Sequence, residues 1–461
     1  MDIENFEHKE LQISKFKTEP GEPWCIYGEN RSGIDSFVAL LAGDLREYTA
    51  SLLHLPEHPG LLSFKRQQDI FEKELRLDNT DFMDRIDPGT PAKDFLPNYK
   101  NHLPLIHALG MGNNLEQGYR QLSSGQCRKL LLLKELLGGA TYLIIQNPYD
   151  GLDENSCREL DHALRLVNES GIQLMVVVNS VIDIPDWCSH LALISAGRML
   201  QSGYKKQVLQ LIGNSQSTDM DSRWTEELPR YHSSPTLQKK PLVVLRNGFA
   251  GYGGKRLFHD LDLNIFPGDH TLITGPNGCG KSTLLDIITG DNPKCYANEL
   301  EIFGKKRGSG ESIWEIKKHM GIVSPGLHRD HRIPGNVLQI VLSGLFDSIG
   351  LYQKVSDGQI RTARHWLSRI GLQQEESSPF RKLCHADQRL VLIARAIIKL
   401  PRLLILDEPT QGFDDINKNR LLNLLETIAD LNISTIIFVS HRKDEYRPFF
   451  RQHIELSNYS D

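Results

Sequence analysis

The stretch Gly275-Pro276-Asn277-Gly278-Cys279-Gly280-Lys281-Ser282-Thr283 has the spacing GxxxxGK[ST]. Glycines in this pattern let backbone N–H groups converge on phosphate oxygens at a helix N-terminus. The pattern expects Lys281 to reach the β- and γ-phosphates and the Ser282 hydroxyl to ligate Mg²⁺. Two carboxylates close an apolar run farther on, Leu403-Leu404-Ile405-Leu406-Asp407-Glu408-Pro409. A carboxylate at the end of a buried strand suits a hard cation or its water shell, which is the place expected for Asp407. Glu408 beside it is placed to polarise an attacking water as general base. The chemistry these residues can do together is Mg²⁺-dependent hydrolysis of ATP.

The first half of the chain carries a damaged copy of the same loop, Gly28-Glu29-Asn30-Arg31-Ser32-Gly33-Ile34-Asp35-Ser36. Ile34 stands where the lysine belongs and Asp35 where the metal-binding hydroxyl belongs. Other landmarks recur. Leu122-Ser123-Ser124-Gly125-Gln126 matches Leu383-Cys384-His385-Ala386-Asp387, Tyr142–Pro148 matches Leu403–Pro409, and Gly151-Leu152-Asp153 matches Gly412-Phe413-Asp414, all at a spacing of 261 residues. Val178-Asn179 matches Ser440-His441 at 262, whereas the loops lie 247 apart, so the second copy holds 14 extra residues between loop and signature.

Each copy reads as an α/β unit. A short apolar strand (24–27; 271–274) runs into the Gly-rich loop and then a helix. The stretches 142–145 and 403–406, and 174–178 and 435–439, are continuous apolar runs of buried-strand length. Segments 128–137 and 389–399 are helical in composition and follow the signatures directly. The segment 213–240 is polar and Ser- and Pro-bearing without periodicity, and reads as a linker between domains 1–212 and 241–461.

The ordered set of phosphate loop, LSSGQ-type signature, LLILDEP run, Gly-hydrophobic-Asp loop and terminal histidine resembles the ATP-binding-cassette (ABC) ATPases over essentially the whole chain. The resemblance implies two P-loop NTPase domains in tandem, each with a helical subdomain carrying the signature. It also implies that His441 contacts the γ-phosphate and helps hold the attacking water. Tyr252, 23 residues before Gly275, sits where the family has an aromatic that stacks on adenine, and a core tyrosine is the equal alternative. Residues 303–318 and 342–352 resemble tandem members of the superfamily tied to molybdate transport and also labelled photorepair proteins. The same stretches also suit hairpin, helix and helix-entry segments kept for packing.

In this family two domains pack head to tail, and each ATP lies between one domain's phosphate loop and the other's signature. The damage in this chain is sorted accordingly. The first half has lost its lysine, its hydroxyl, its acidic pair (Gln146, Asn147) and its histidine (Asn179), yet it keeps Ser123, Ser124, Gly125 and Gln126. The second half keeps the loop, Asp407, Glu408 and His441 but has lost the signature. A unit charge at ~4 Å and an effective dielectric near 20 is worth roughly 4 kcal/mol. Exchanging lysine for a nearby carboxylate therefore weakens phosphate binding by about two or more decades. The expectation is an intramolecular, monomeric clamp with one working site, in which Ser123 and Gly125 bind the γ-phosphate in trans and Asp153 approaches from the opposing loop.

Composition bounds the alternatives. The chain of 461 residues is long enough for two real cores, and its 24% charged and 39% apolar content is that of a globular protein. A net charge of −5 with no basic arm gives no strong nucleic-acid signal. The polar start Met1-Asp2-Ile3-Glu4-Asn5 is unlike a secretory signal. No apolar run approaches the roughly 20 residues of a membrane helix. Seven scattered cysteines without a C-x-x-C pair read as reduced thiols. The expected place is the cytoplasm, with membrane contact only through a partner.

Family transport ATPases carry a glutamine after a Gly-aromatic-Val strand, linking Mg²⁺ to the membrane partner. Gly321-Ile322-Val323-Ser324-Pro325 carries none, and in the first half Leu61-Leu62-Ser63-Phe64 is too divergent to align, with Gln67 and Gln68 nearby. His328, Asp330 and His331 read as a metal site or as solvent-facing loop residues. Three functions stay open: a motor for a transmembrane permease subunit moving molybdate or a related oxyanion, a clamp acting on DNA or the ribosome, and a nucleotide sensor without turnover. Intact Glu408 and His441 speak against the last.

Overall fold

The computed structural model describes residues 1–77, 87–215, 240–252, 255–330 and 333–460. The chain divides into two compact units, Met1–Asp219 with Gly412–Ile416, and Met220–Gln411 with Asn417–Asp461. The linker expected at 213–240 falls mainly outside the described residues, and the helix Lys205–Ser215 runs into its first three positions.

In the first unit one nine-stranded sheet runs in the order Leu52–His54, Asp2–His8, Leu11–Lys17, Arg198–Tyr204, His190–Ser195, Trp24–Gly28, Gln173–Val178, Tyr142–Gln146, Pro59–Leu62. The last four strands are mutually parallel. They are near-continuous apolar runs because helices cover both faces of such a sheet. In the second unit the corresponding sheet is Met320–Val323, Leu403–Asp407, Thr435–Val439, Thr271–Thr274, Gln452–Glu455, all parallel. A separate antiparallel sheet joins Lys255–Ile265, Val243–Tyr252, Glu299–Ile302 and Lys305–Lys306. Both strands that lead into phosphate loops are interior to their sheets, so each loop starts from a fixed backbone.

Register resolves the stretch that the sequence left unaligned. Pro59 pairs with Tyr142 as Met320 pairs with Leu403, so Leu62 stands where Val323 does. From Gly28 to Leu62 is 34 residues and from Gly275 to Val323 is 48, so all 14 extra residues precede this strand. They accommodate the hairpin and the short helix Ile313–Lys317. There Arg307 and Glu311 form a buried ion pair at 2.8 Å, with side chains 2% and 4% exposed. The Arg307 guanidinium packs against the Tyr296 ring and against Gly290, which ends the phosphate-loop helix with φ 79°. The stretch 303–318 thus buttresses the far end of that helix.

Helices carry the signatures. Ser124–Leu137 follows the first and His385–Ile397 the second, and both start several residues earlier than composition suggested. Among the described residues no helix is long and apolar enough to cross a membrane.

Candidate active site

The loop 275–283 leaves the buried strand Thr271–Thr274 and enters the helix Lys281–Thr289. Gly280 caps that helix at φ 102°, and Gly33 does the same in the first unit at φ 98°, where a Cβ would lie 2.5 Å from the Glu10 carbonyl oxygen. Only glycine fits such a left-handed, crowded cap. Lys281 is buried, and its Nζ donates to the Gly275 and Pro276 carbonyls at 2.8 and 2.9 Å, which folds the ammonium over the loop. Asn277 and Thr283 are half-buried, and Pro276, Gly278 and Ser282 are exposed. Burial pushes the Cys279 thiol up, so it stays protonated and poorly reactive. All seven cysteines are free.

The Ser282 hydroxyl donates to Asp407 Oδ2 at 3.0 Å. Burial, then the neighbouring charge of Glu408, pushes the Asp407 carboxyl up to about 7. This oxygen pair is the donor set that a hard divalent cation takes, and it fits Mg²⁺. Glu408 sits at φ 47°, with its N–H on the Val439 carbonyl at 3.0 Å. A left-handed glutamate costs about 1–2 kcal/mol, a cost typical of functional positions. Burial alone would push the Glu408 carboxyl up, but His441, Lys281 and Arg389 beside it hold it below the ordinary range. It is therefore ionised at neutral pH, as a base must be. His441 Nδ1 lies 3.3 Å from Glu408 Oε1, without hydrogen-bond alignment between them.

The first unit has the same backbone with the chemistry removed. Asn147 repeats the left-handed turn at φ 45° and donates its N–H to Val177. Ile34 is 1% exposed and packs into the core instead of offering a cation. Gln146 Nε2 donates to Asp35 Oδ1 at 3.0 Å, and Asn179 Nδ2 donates to Asn30 Oδ1 at 2.7 Å. Neutral amides here satisfy groups that an intact site would present to metal and phosphate.

The signatures differ in kind. Ser123 caps its helix through a reciprocal box, accepting from Gln126 N at 3.2 Å while Gln126 Oε1 accepts from Ser123 N at 2.9 Å. Cys384 provides no such side-chain cap. Ser123 and Ser124 are exposed, and Gly125 is buried. A Cβ at Gly125 would meet Ser156 and Leu152 only at 3.5 and 3.6 Å, so the unit's own packing does not demand glycine there. Asp153 caps the helix Glu154–Glu169, accepting from Ser156 N at 2.7 Å.

Tyr252 ends its strand, and its side chain lies outside the described residues, as do those of His328, Asp330 and His331. At the missing-glutamine position both repeats use a serine. Ser63 Oγ accepts from Arg66 N at 3.2 Å and Ser324 Oγ from Leu327 N at 3.1 Å, each starting a helix. Gln68 bonds Glu72, whereas Gln67 lines a small cavity with Gln146, Arg128 and Pro148.

Sequence reasoning missed two arginines. Arg389 is 1% exposed and donates to the Asp407, Glu408 and Pro409 carbonyls, while Arg128 donates to the Pro148 and Asp150 carbonyls. Their spacing of 261 was the available signal.

Comparison with known proteins agrees with this geometry. ABC transporter ATP-binding protein ModF of Escherichia coli (strain K12) is 35% identical over 450 residues, covering 95% of this chain and 91% of that protein. The chain belongs to the ABC ATPases. The family model described as ABC transporter matches residues 258–411, the repeat with the intact loop. An uncharacterized ABC transporter ATP-binding protein of Schizosaccharomyces pombe is 27% identical, covering 94% of this chain and 92% of that one. Among solved structures, RNase-L Inhibitor covers 95% of this chain and 84% of its own, with TM-score 0.56 at 17% identity. A model of ribosome-bound archaeal Pelota and ABCE1 covers 99% and 75%, with TM-score 0.61 at 14% identity. At these identities the structures speak for the tandem fold alone. This ABC ATPase is therefore a tandem, ATP-binding member resembling ModF.

Proposed function

We propose that the chain hydrolyses ATP at one composite site per polypeptide. Lys281, Ser282, Asp407, Glu408 and His441 come from the domain 241–461, and Ser123, Ser124, Gly125, Gln126 and Asp153 come from the domain 1–212, packed head to tail in a monomer. The carrying observation is the contrast of the paired positions: Ser282 with Asp407 in one repeat, Asp35 with Gln146 in the other. The first pair offers a hydroxyl and a carboxylate oxygen to a cation, whereas in the second an amide N–H, not a ligand, meets the carboxylate. Glycine at 125, not required by its own unit, supports close approach of a ligand to that helix start. Glu408 is the base, and His441 holds the water and the γ-phosphate. Ser282 and Asp407 would hold a divalent cation, which would supply positive charge to the phosphate oxygens. The rest of the loop orients the triphosphate, with Tyr252 as the adenine platform.

The resemblance carried by 303–318 and 342–352 supports a role with a separate transmembrane subunit moving molybdate or a related oxyanion, at the cytoplasmic face. A second reading, a clamp on a macromolecule such as the ribosome or DNA, is favoured by Ser63 and Ser324. Both spend their side chains capping helices where a coupling glutamine would stand. Affinity capture of the Glu408→Gln protein with ATP, from detergent-solubilised membranes and from ribosome fractions, separates the two. A permease subunit supports the first and ribosomal components the second.

A further inference from the structure

We propose that Glu445 is a positioning residue for this hydrolysis, bracketing His441 against the turn that carries Glu408. The inference rests on the proposed function and adds to it a residue outside every motif. Glu445 ends the 3-10 turn Lys443–Glu445 and is 1% exposed. Its two oxygens hold two separate segments. Oε2 accepts from the Ser440 hydroxyl at 2.5 Å, and Oε1 accepts from the Thr410 hydroxyl. Ser440 immediately precedes His441, and Thr410 follows Glu408 by two positions.

Both flanks of His441 are thereby tied. The Ser440 N–H donates to the Ile273 carbonyl at 3.2 Å, and the Ser440 Oγ accepts from Arg442 N at 2.9 Å while donating to Glu445. Arg442 Nε lies 3.9 Å from the carboxylate. A carboxylate this deeply buried, served by hydroxyls and one distant guanidinium, is expensive to keep for packing alone.

The first unit supplies an independent comparison. Where His441 and Glu408 have become Asn179 and Asn147, the bracket is gone as well. Val178 stands at the Ser440 position with no hydroxyl, Asp183 stands at the Glu445 position one methylene shorter, and Tyr149, at the Thr410 position, gives its hydroxyl to Asp161. The bracket occurs only in the unit whose histidine and base survive.

The test uses the full chain, with steady-state and single-turnover ATP hydrolysis, and ATP affinity measured separately. Glu445→Ala is expected to lower kcat about tenfold or more, with KM and ATP affinity within about twofold. Glu445→Gln, which still accepts from one hydroxyl and donates to the other, is expected to recover most of that rate. In a His441→Ala background, Glu445→Ala is expected to cost nothing further, because both act through the same side chain. An unchanged kcat for Glu445→Ala, equal losses for Ala and Gln, or full additivity with His441→Ala overturns the proposal. Should Glu445→Ala not fold, Thr410→Val removes one arm and keeps the carboxylate; a lowered kcat with KM unchanged supports the bracket, and a wild-type kcat overturns it. Glu408→Gln is run alongside. A wild-type chain that releases no phosphate from ATP removes the hydrolytic reading itself, an active Glu408→Gln removes the assigned base, and an inactive Glu408→Gln beside an unaffected Glu445→Ala removes only Glu445.

Discussion

The Ser282 hydroxyl donates to Asp407 across 3.0 Å, and the residues at the same two places of the first repeat, Gln146 and Asp35, meet across 3.0 Å with donor and acceptor exchanged. One arrangement can open to admit a cation between two oxygens. The other sets an amide N–H, which donates and cannot ligate a cation, against its carboxylate. Calorimetric titration of the full chain with ATP and Mg²⁺ should accordingly give one site per chain. Two equal sites would contradict the assignment. Ile34→Lys with Asp35→Ser should not create a second site, because Gln146 remains at the metal position and the lysine replaces a core side chain.

Glu408→Gln should retain ATP and slow phosphate release by ~10²-fold or more, the contribution expected of a positioned base. Normal turnover in this variant would discard the base.

Ser123→Arg lies in the other repeat from the phosphate loop. It should abolish turnover while lowering the melting temperature of the nucleotide-free protein by only a few degrees, since Ser123 is exposed and the lost helix cap costs about 1 kcal/mol. An unchanged rate would refute the composite site.

Arg307→Ala should destabilise the protein by about 3 kcal/mol, because it leaves the Glu311 carboxylate buried without its cation. Thermal and denaturant melts read this directly. A loss within the surface range, below about 0.5 kcal/mol, would remove the buttress role.

His270 gives the chain an acid limit. Burial, with Arg451 nearby, lowers its pKa, and its Nδ1 accepts from Ile436 N at 3.2 Å, so the folded state holds it neutral. The unfolded state takes the proton more readily. Stability is therefore full above the unfolded value near 6.5 and falls as pH drops below it toward the folded value. His270→Gln should flatten the fall in melting temperature between about pH 7 and 5.5. An identical slope would assign the acid limit elsewhere.

Much of this was legible in the sequence, because phosphate chemistry constrains residues that lie close together in the chain. The loop at 275–283, the acidic pair at 407–408 and the apolar strands around them are local patterns, and the structure has them where the sequence put them. What escaped was tertiary. Arg389 acts on main-chain carbonyls, which leave no mark on residue type. Glu445 meets Thr410 across 35 positions. Ser63 and Ser324 came into register only through strand pairing, since a side chain capping a helix looks like any other serine in a turn.

Arg128 and Arg389 survive in both repeats although the residues around them have eroded. Each guanidinium is fastened to the carbonyl rim of the turn after the acidic-pair strand. Any tilt of the helix His385–Ile397 would therefore act on the backbone of Glu408 through Arg389. The helix start at His385 lacks the side-chain cap that Ser123 provides, yet the same helix keeps its guanidinium anchor on the Glu408 carbonyl.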